Sequence, residues 1–315
     1  MREQSNVSVV TIENVTKTYG SHTAVSDLSL EVPAGSLYGF IGPNGSGKTS
    51  TIRMILRIIH PDQGRIAVLG DDSASAANDQ LGYLPEERGL YKKLSVRRML
   101  QYYAALKSMS KSDANKAIDH WLKRFDLESW GNKKIESLSK GMSQKVQFIA
   151  SAISDPKVLI LDEPFSGLDP VNTEVIRSAV LEMQRRGTTI LFSTHDMSTA
   201  EKMCDFVFMI FRGEKVLDGT LDEIKAKYGA DSVRLRWEGT PEQLQSIREV
   251  ERVIDMGGFQ ELQTSEPQRV LGQLVEMGHV SLFEITQPSL HDIFIRIAGP
   301  EVLEASREEE QEVQA

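Results

Sequence analysis

Gly42-Pro43-Asn44-Gly45-Ser46-Gly47-Lys48-Thr49 is the stretch on which the reading of the whole chain turns. It fits G-x-x-x-x-G-K-[ST], the pattern of a phosphate-cradling loop. Ahead of it, Leu37–Ile41 is short and apolar and predicts a buried strand. Behind it, Ser50–Arg57 carries apolar residues at helical spacing. The loop thus joins a strand end to a helix start, where backbone N–H groups and the positive end of the helix dipole converge on an anion. Its glycines let those N–H groups turn inward with no Cβ in the way. Nucleotide contacts are expected at Gly42, Pro43, Asn44, Gly45, Ser46, Gly47, Lys48, Thr49 and Ser50. Lys48 reaches the β- and γ-phosphates and the Thr49 hydroxyl ligates Mg²⁺. Taken alone, the stretch could also be a glycine-rich turn with a surface lysine.

Working outward, 315 residues leave room for one large or two ordinary domains. A hydrophobic share of 40% and a charged share of 26% suit a soluble globular protein. No apolar run nears the roughly 18–20 residues of a membrane span, and Met1–Gln4 leads into no signal-peptide core. One cysteine, Cys204, excludes an intrachain disulfide and suits a reducing cytoplasm. The net charge of −9 argues against a general nucleic-acid binder. Residues 301–315 hold six Glu and one Arg, so 299–315 is expected to be an acidic disordered tail.

In chain order, residues 7–38 predict antiparallel strands. Tyr19 lies at their turn, where its ring could stack on a base or serve as a strand-end core tyrosine. Residues 92–153 predict a helical insert in an α/β domain, with a helix capped by Ser95 and another capped at Ser112-Asp113. Ser139 and Gly141 open a further helix, as an ordinary helix start or as one whose first N–H groups face an anion. Val158–Leu161 is an apolar strand ending in Asp162-Glu163. Paired carboxylates there, downstream of a phosphate loop, would give Asp162 the Mg²⁺, through water or directly, and Glu163, pointing the other way along the strand, could be the general base; the other reading is a solvated acidic loop. His195 follows the strand Thr188–Ser193, at the edge that faces the ligand crevice of a parallel sheet, where a neutral imidazole could hydrogen-bond a γ-phosphate or be structural.

The order of these pieces resembles the nucleotide-binding subunit of an ATP-binding-cassette (ABC) transporter over residues 7–230. Gly42–Thr49 is similar to its Walker A, Leu138-Ser139-Lys140-Gly141-Met142 to its signature, and Val158–Glu163 to its Walker B with the catalytic glutamate. Ser166-Gly167-Leu168-Asp169 is similar to its D-loop and His195 to its switch histidine. The resemblance implies a P-loop NTPase fold with an antiparallel β subdomain, and an ATPase using ATP and Mg²⁺. It makes Tyr19 the adenine-stacking residue, Ser139 and Gly141 γ-phosphate contacts, and Asp169 a nucleotide-site residue. It further implies ATP-driven pairing of two copies, a separate multi-span membrane permease docked near Glu86–Arg98, no nucleic acid, and a place on the cytoplasmic membrane face. A soluble non-transport ATPase of the superfamily and a low-turnover nucleotide-sensing scaffold remain alternatives.

Two departures stand out. Glu86 replaces the Q-loop glutamine; it can still offer oxygen to Mg²⁺ or the attacking water, but adds negative charge beside ATP. Lys140 and Met142 replace a glycine and the glutamine of the signature. Bacterial exporters of the sodium-efflux and drug-efflux (NatA-like, DrrA-like) type look similar on both counts. Residues 231–298 predict a small βαββαβα unit, similar to the C-terminal domain of those exporters. It has no catalytic cluster and reads as a dimerisation or regulatory unit.

Overall fold

The computed structural model describes residues 7–70, 78–87, 89–228, 232–255 and 257–299. The expected tail beyond residue 299, most of the connection at 71–80, and Arg88 lie outside them. The chain divides into two compact units between Gly219 and Thr220.

The first unit opens with β1 (Ser8–Tyr19) and β2 (His22–Pro33), followed by β3 (Leu37–Ile41), α1 (Lys48–Ile55), β4 (Gln63–Val68) and β5 (Leu81–Leu84). The helical region holds α2 (Val96–Leu106), α3 (Lys111–Arg124) and α4 (Lys140–Ala152). Then come β6 (Val158–Asp162), α5 (Pro170–Arg185), β7 (Thr189–Thr194), α6 (Met197–Met203), β8 (Phe206–Phe211) and β9 (Glu214–Thr220).

Two sheets organise this unit. One is six-stranded in the order β5-β6-β7-β3-β8-β9, with parallel pairing from β5 through β8. Every residue of β3, β6 and β7 is buried, as the continuous apolar runs of a sheet covered on both faces require. The other is antiparallel, in the order β2-β1-β4. Val10, Ile12, Val25 and Leu28 from it share one core with Tyr38, Phe40 and Phe208 of the parallel sheet and with Ile52 of α1. The strand ends β3 and β6 and the start of α1 are thereby fixed on a rigid floor. The α/β fold class expected from the sequence is the one observed.

Helix α3 starts earlier than the sequence suggests. Ser110, not Ser112, is its cap: its Oγ accepts from Asp113 N (3.1 Å) and donates to Asp113 Oδ2 (2.7 Å). That reciprocal arrangement leaves Ser112 inside the first turn.

The second unit holds α7 (Leu221–Tyr228), β10 (Ser232–Trp237), α8 (Pro241–Gln245), β11 (Arg252–Asp255), β12 (Gln260–Gln263), α9 (Pro267–Met277), β13 (Val280–Thr286) and α10 (290–299). Its sheet is antiparallel, ordered β11-β12-β10-β13. Val233, Leu235, Leu262, Val270 and Leu274 are its fully buried core. The sequence places the exit from the first domain at Tyr228–Asp231, yet α7 groups with the second unit. Arg296 Nη1 donates to Tyr228 O at 3.0 Å, tying the end of α7 to α10.

Candidate functional site

The loop from β3 to α1 is shaped by backbone that only glycine tolerates. Gly42, Gly45 and Gly47 have φ of 154°, 77° and 111°. A Cβ on Gly47 would stand 2.5 Å from Ala24 O, and one on Gly42 would collide with Ile210 O. Both obstacles are backbone, so neither can swing aside. Gly213, in the β8–β9 turn, donates from its N–H to Ser46 O at 2.9 Å and holds the loop from the far side. No side chain caps α1 and its first turn has no acidic residue, so its leading N–H groups are open to an anion.

Lys48 is buried, and its Nζ folds back to donate to Gly42 O (2.7 Å) and Pro43 O (3.0 Å). Burial lowers its pKa, against the pull of Glu163, Asp162 and Glu86. Phosphate oxygens arriving here would replace two carbonyls with better acceptors.

The carboxylates lie opposite. Asp162 ends β6 and is 1% exposed. One of its oxygens accepts from Ser193 Oγ, while Oδ2 has no partner. Burial raises its pKa; the Ser193 bond lowers it, and Glu86 and Glu163 raise it further. Asp162 and Glu163 do not alternate across a strand as expected. Glu163 lies just past β6 in the left-handed region, with φ 49°, and that turn brings both carboxylates onto one cavity of about 390 Å³. Tyr19, Lys48, Thr49 and Glu86 line it as well, with Asn44, Gly45, Ser46, Gly47 and Ser50 of the loop. His22 and Ala24 complete the wall. Nothing in the sequence marks these two beyond their closeness to Tyr19, whose register partner is His22.

Two buried oxygens facing this region are unsatisfied, Ser46 Oγ and Asp162 Oδ2, and such orphans in a polar cavity point to a ligand. Thr49, Asp162 and Glu86 offer hard oxygen donors that fit Mg²⁺. Among the described residues no three His, Cys, Asp or Glu side chains form a metal cluster.

His195 follows β7 but does not line the cavity. Its backbone N–H donates to Glu163 Oε1 at 2.9 Å, and its Nδ1 stands 2.8 Å from the same oxygen. The imidazole, half exposed, thus meets the same oxygen as its own backbone N–H. His195 therefore orients the carboxylate.

Ser139, Gly141 and Asp169 gather elsewhere, and none lines the cavity. Ser139 Oγ accepts from Met142 N (3.2 Å) and caps α4. Asp169 caps α5 by accepting from Asn172 N (2.9 Å) and binds the Asn172 amide too. A Cβ on Gly141 would stand 2.7 Å from Asn172 Nδ2. Asn172 thus joins the two helix starts, a role whose only sequence cue is its place in the first turn after Asp169-Pro170. Two polar residues on α4 also lie outside the sequence reading. Gln144 Nε2 donates to Pro164 O (3.1 Å), and Gln147 Nε2 to Pro85 O and Glu87 O (both 3.2 Å). One helix thereby reaches the loops after both β6 and β5.

Known proteins are similar to this chain. Residues 25–166 match the family model described as ABC transporter, and residues 219–298 that of the ATP-binding protein DrrA1-3-like C-terminal domain. The uncharacterised ABC transporter ATP-binding protein YhaQ of Bacillus subtilis (strain 168) is 42% identical over 92% of this chain and 99% of its own. The Nod factor export ATP-binding protein I of Rhizobium leguminosarum bv. viciae is 33% identical over 93% of this chain and 96% of its own. Among solved structures, an ATP-binding subunit of an ABC transporter superposes with a TM-score of 0.66 at 30% identity, covering 70% of this chain and 93% of that one.

Proposed function

The chain belongs to the ABC transporter ATP-binding family, and from that premise we propose that two copies of it trap ATP head to tail and drive export through a separate membrane subunit. Proteins of this family are ATPases that work with membrane subunits, and this chain is an ATP-binding ATPase subunit. The observation that carries the finer reading is the split of its motifs into two clusters. The Lys48 cavity holds the phosphate loop and the carboxylates, while Ser139, Gly141 and Asp169 do not line it. A second copy would bring its α4 start to the open side of the first copy's cavity, and ATP would join them. The export direction is supported by the Nod factor export relative and by the DrrA-like C-terminal match.

In the proposed cycle the loop N–H groups and Lys48 hold the β- and γ-phosphates, and Tyr19 stacks on the base. Thr49, Asp162 and Glu86 are the residues that would hold Mg²⁺, which when bound screens the triphosphate charge. Glu163, oriented by His195, takes a proton from the water attacking the γ-phosphorus as the bond to the β-phosphate oxygen breaks. Closing needs only ATP; reopening needs hydrolysis.

A general base is worth about 10²- to 10⁴-fold in rate. Glu163→Gln is expected to bind ATP, lose turnover by that order, and accumulate as a dimer in light scattering. Turnover at the parent rate would remove Glu163 from the role.

For the membrane partner, a largely apolar cavity of about 410 Å³ adjoins the expected docking region. Ile58, Leu81, Pro85, Leu90, Tyr103 and Leu106 are among its walls. No helix among the described residues is long and apolar enough to cross a membrane. We place the subunit at the cytoplasmic membrane face, bound there through its partner.

A further inference from the structure

We propose that Lys140 of one copy and Glu86 of the other are a compensating charge pair across the bound triphosphate. The proposal rests on the two-copy reading above and adds a residue-level contact to it.

The cavity poses the need. Glu86, Asp162 and Glu163 face it with a single buried ammonium, Lys48. Glu86 stands close enough to act electrostatically on both Lys48 and Asp162. A polyanion entering this cavity meets one more negative charge than a glutamine at that position would present, and Lys48 is the one Lys or Arg side chain lining it.

Lys140 is placed to supply the offset. It is the first residue of α4, between Ser139 and Gly141, and it is exposed. A cation in the first turn opposes the helix dipole, and no acidic residue in that turn relieves it. Among the described residues no carboxylate forms an ion pair with Lys140, whereas Lys17, Arg97, Arg124 and Arg177 all have one. Its ammonium rests over Gly167, where a Cβ would collide with it; Gly167 has φ 65°. The glycine leaves the ammonium room there. A cation held against its own dipole, with no carboxylate partner among the described residues and beside the Ser139 helix start, is what an anion arriving from a second copy would satisfy.

The test is a double-mutant cycle in the full chain carrying Glu163→Gln, so that hydrolysis does not reopen the dimer. ATP-driven dimerisation is titrated by light scattering for Lys140→Ala, Glu86→Gln and the two combined. With Glu86 present, Lys140→Ala is expected to raise the ATP concentration at half-dimerisation about tenfold. In the Glu86→Gln background it should cost about threefold or less, since the attraction between the two side chains is already gone. Lys140→Arg should restore most of the affinity, and the difference between backgrounds should shrink as salt rises. Equal factors in both backgrounds, or no effect of Lys140→Ala, overturn the pair and leave Lys140 a solvated side chain. Failure of the Glu163→Gln parent to dimerise with ATP would instead overturn the two-copy reading itself.

Discussion

Asp162 shows what a single residue contributes to function and costs the fold. A carboxylate 1% exposed, with one oxygen unpartnered, is poorly stabilised in its charged form. Its folded pKa is raised above 3.8, chiefly by burial. The folded state therefore holds its proton longer than the unfolded one. This group's penalty is absent at low pH and grows as pH climbs from the ordinary carboxylate range to the raised folded value. Above that window the full penalty remains. Asp162→Asn should therefore raise the melting temperature of the nucleotide-free chain at neutral pH, by about 3 °C for each kcal/mol recovered, and abolish hydrolysis. The gain should vanish when the melt is repeated near pH 3.5. A lower melting temperature at pH 7 would mean the carboxylate has a compensating partner. Gly47 makes the opposite case, since its φ of 111° and the nearby Ala24 carbonyl are both hostile to a side chain. Gly47→Ala should cost about 2 kcal/mol or more in denaturant unfolding and weaken nucleotide binding along with it.

At the scale of elements, α4 connects what the motifs list separately. It begins at the Ser139 cap, and its buried Gln144 and Gln147 hold backbone carbonyls of the loops after β6 and β5. A shift of this helix must move Pro164 and Pro85 together. Replacing Gln147 by Met keeps the length and removes both donated bonds. The expected cost is about 1 kcal/mol, with faster amide hydrogen exchange around residues 85–90 and a smaller ratio of partner-stimulated to basal ATPase. Unchanged exchange there would mean the loop is held by other means. These ties explain which parts of the site the sequence reveals. The phosphate loop, the β6 carboxylates and the Ser139 cap are local, each set by a few neighbouring residues and a strand or helix boundary. The joint aim of Asp162 and Glu163 depends on a left-handed residue where strand alternation predicts opposite faces. His195 acts through Glu163 Oε1, a contact between the segments just past β6 and β7 that sequence spacing cannot show. Asn172 and Gln147 gain their roles only when helices distant in sequence meet.

For the whole molecule, two units with separate cores imply separable unfolding. The first is built on Tyr38, Phe40, Ile52 and Phe208, the second on Val233, Leu235, Leu262 and Leu274. Every residue lining the Lys48 cavity, where the nucleotide is proposed to bind, belongs to the first unit. A ligand that binds only the folded form stabilises it by about 2.7 kcal/mol at a hundredfold excess over its dissociation constant. For a unit of this size that is about 5–10 °C. Calorimetry of the full chain should resolve two transitions, and a non-hydrolysable ATP analogue with Mg²⁺ should raise the larger one by that amount while the smaller stays within a degree. The Asp162→Asn chain should show the larger transition already raised without ligand and a smaller further shift on adding the analogue, because a donor proposed for the ion is gone. Were both transitions of the parent to rise together, the second unit would be sensing nucleotide, and its role would move from assembly towards regulation.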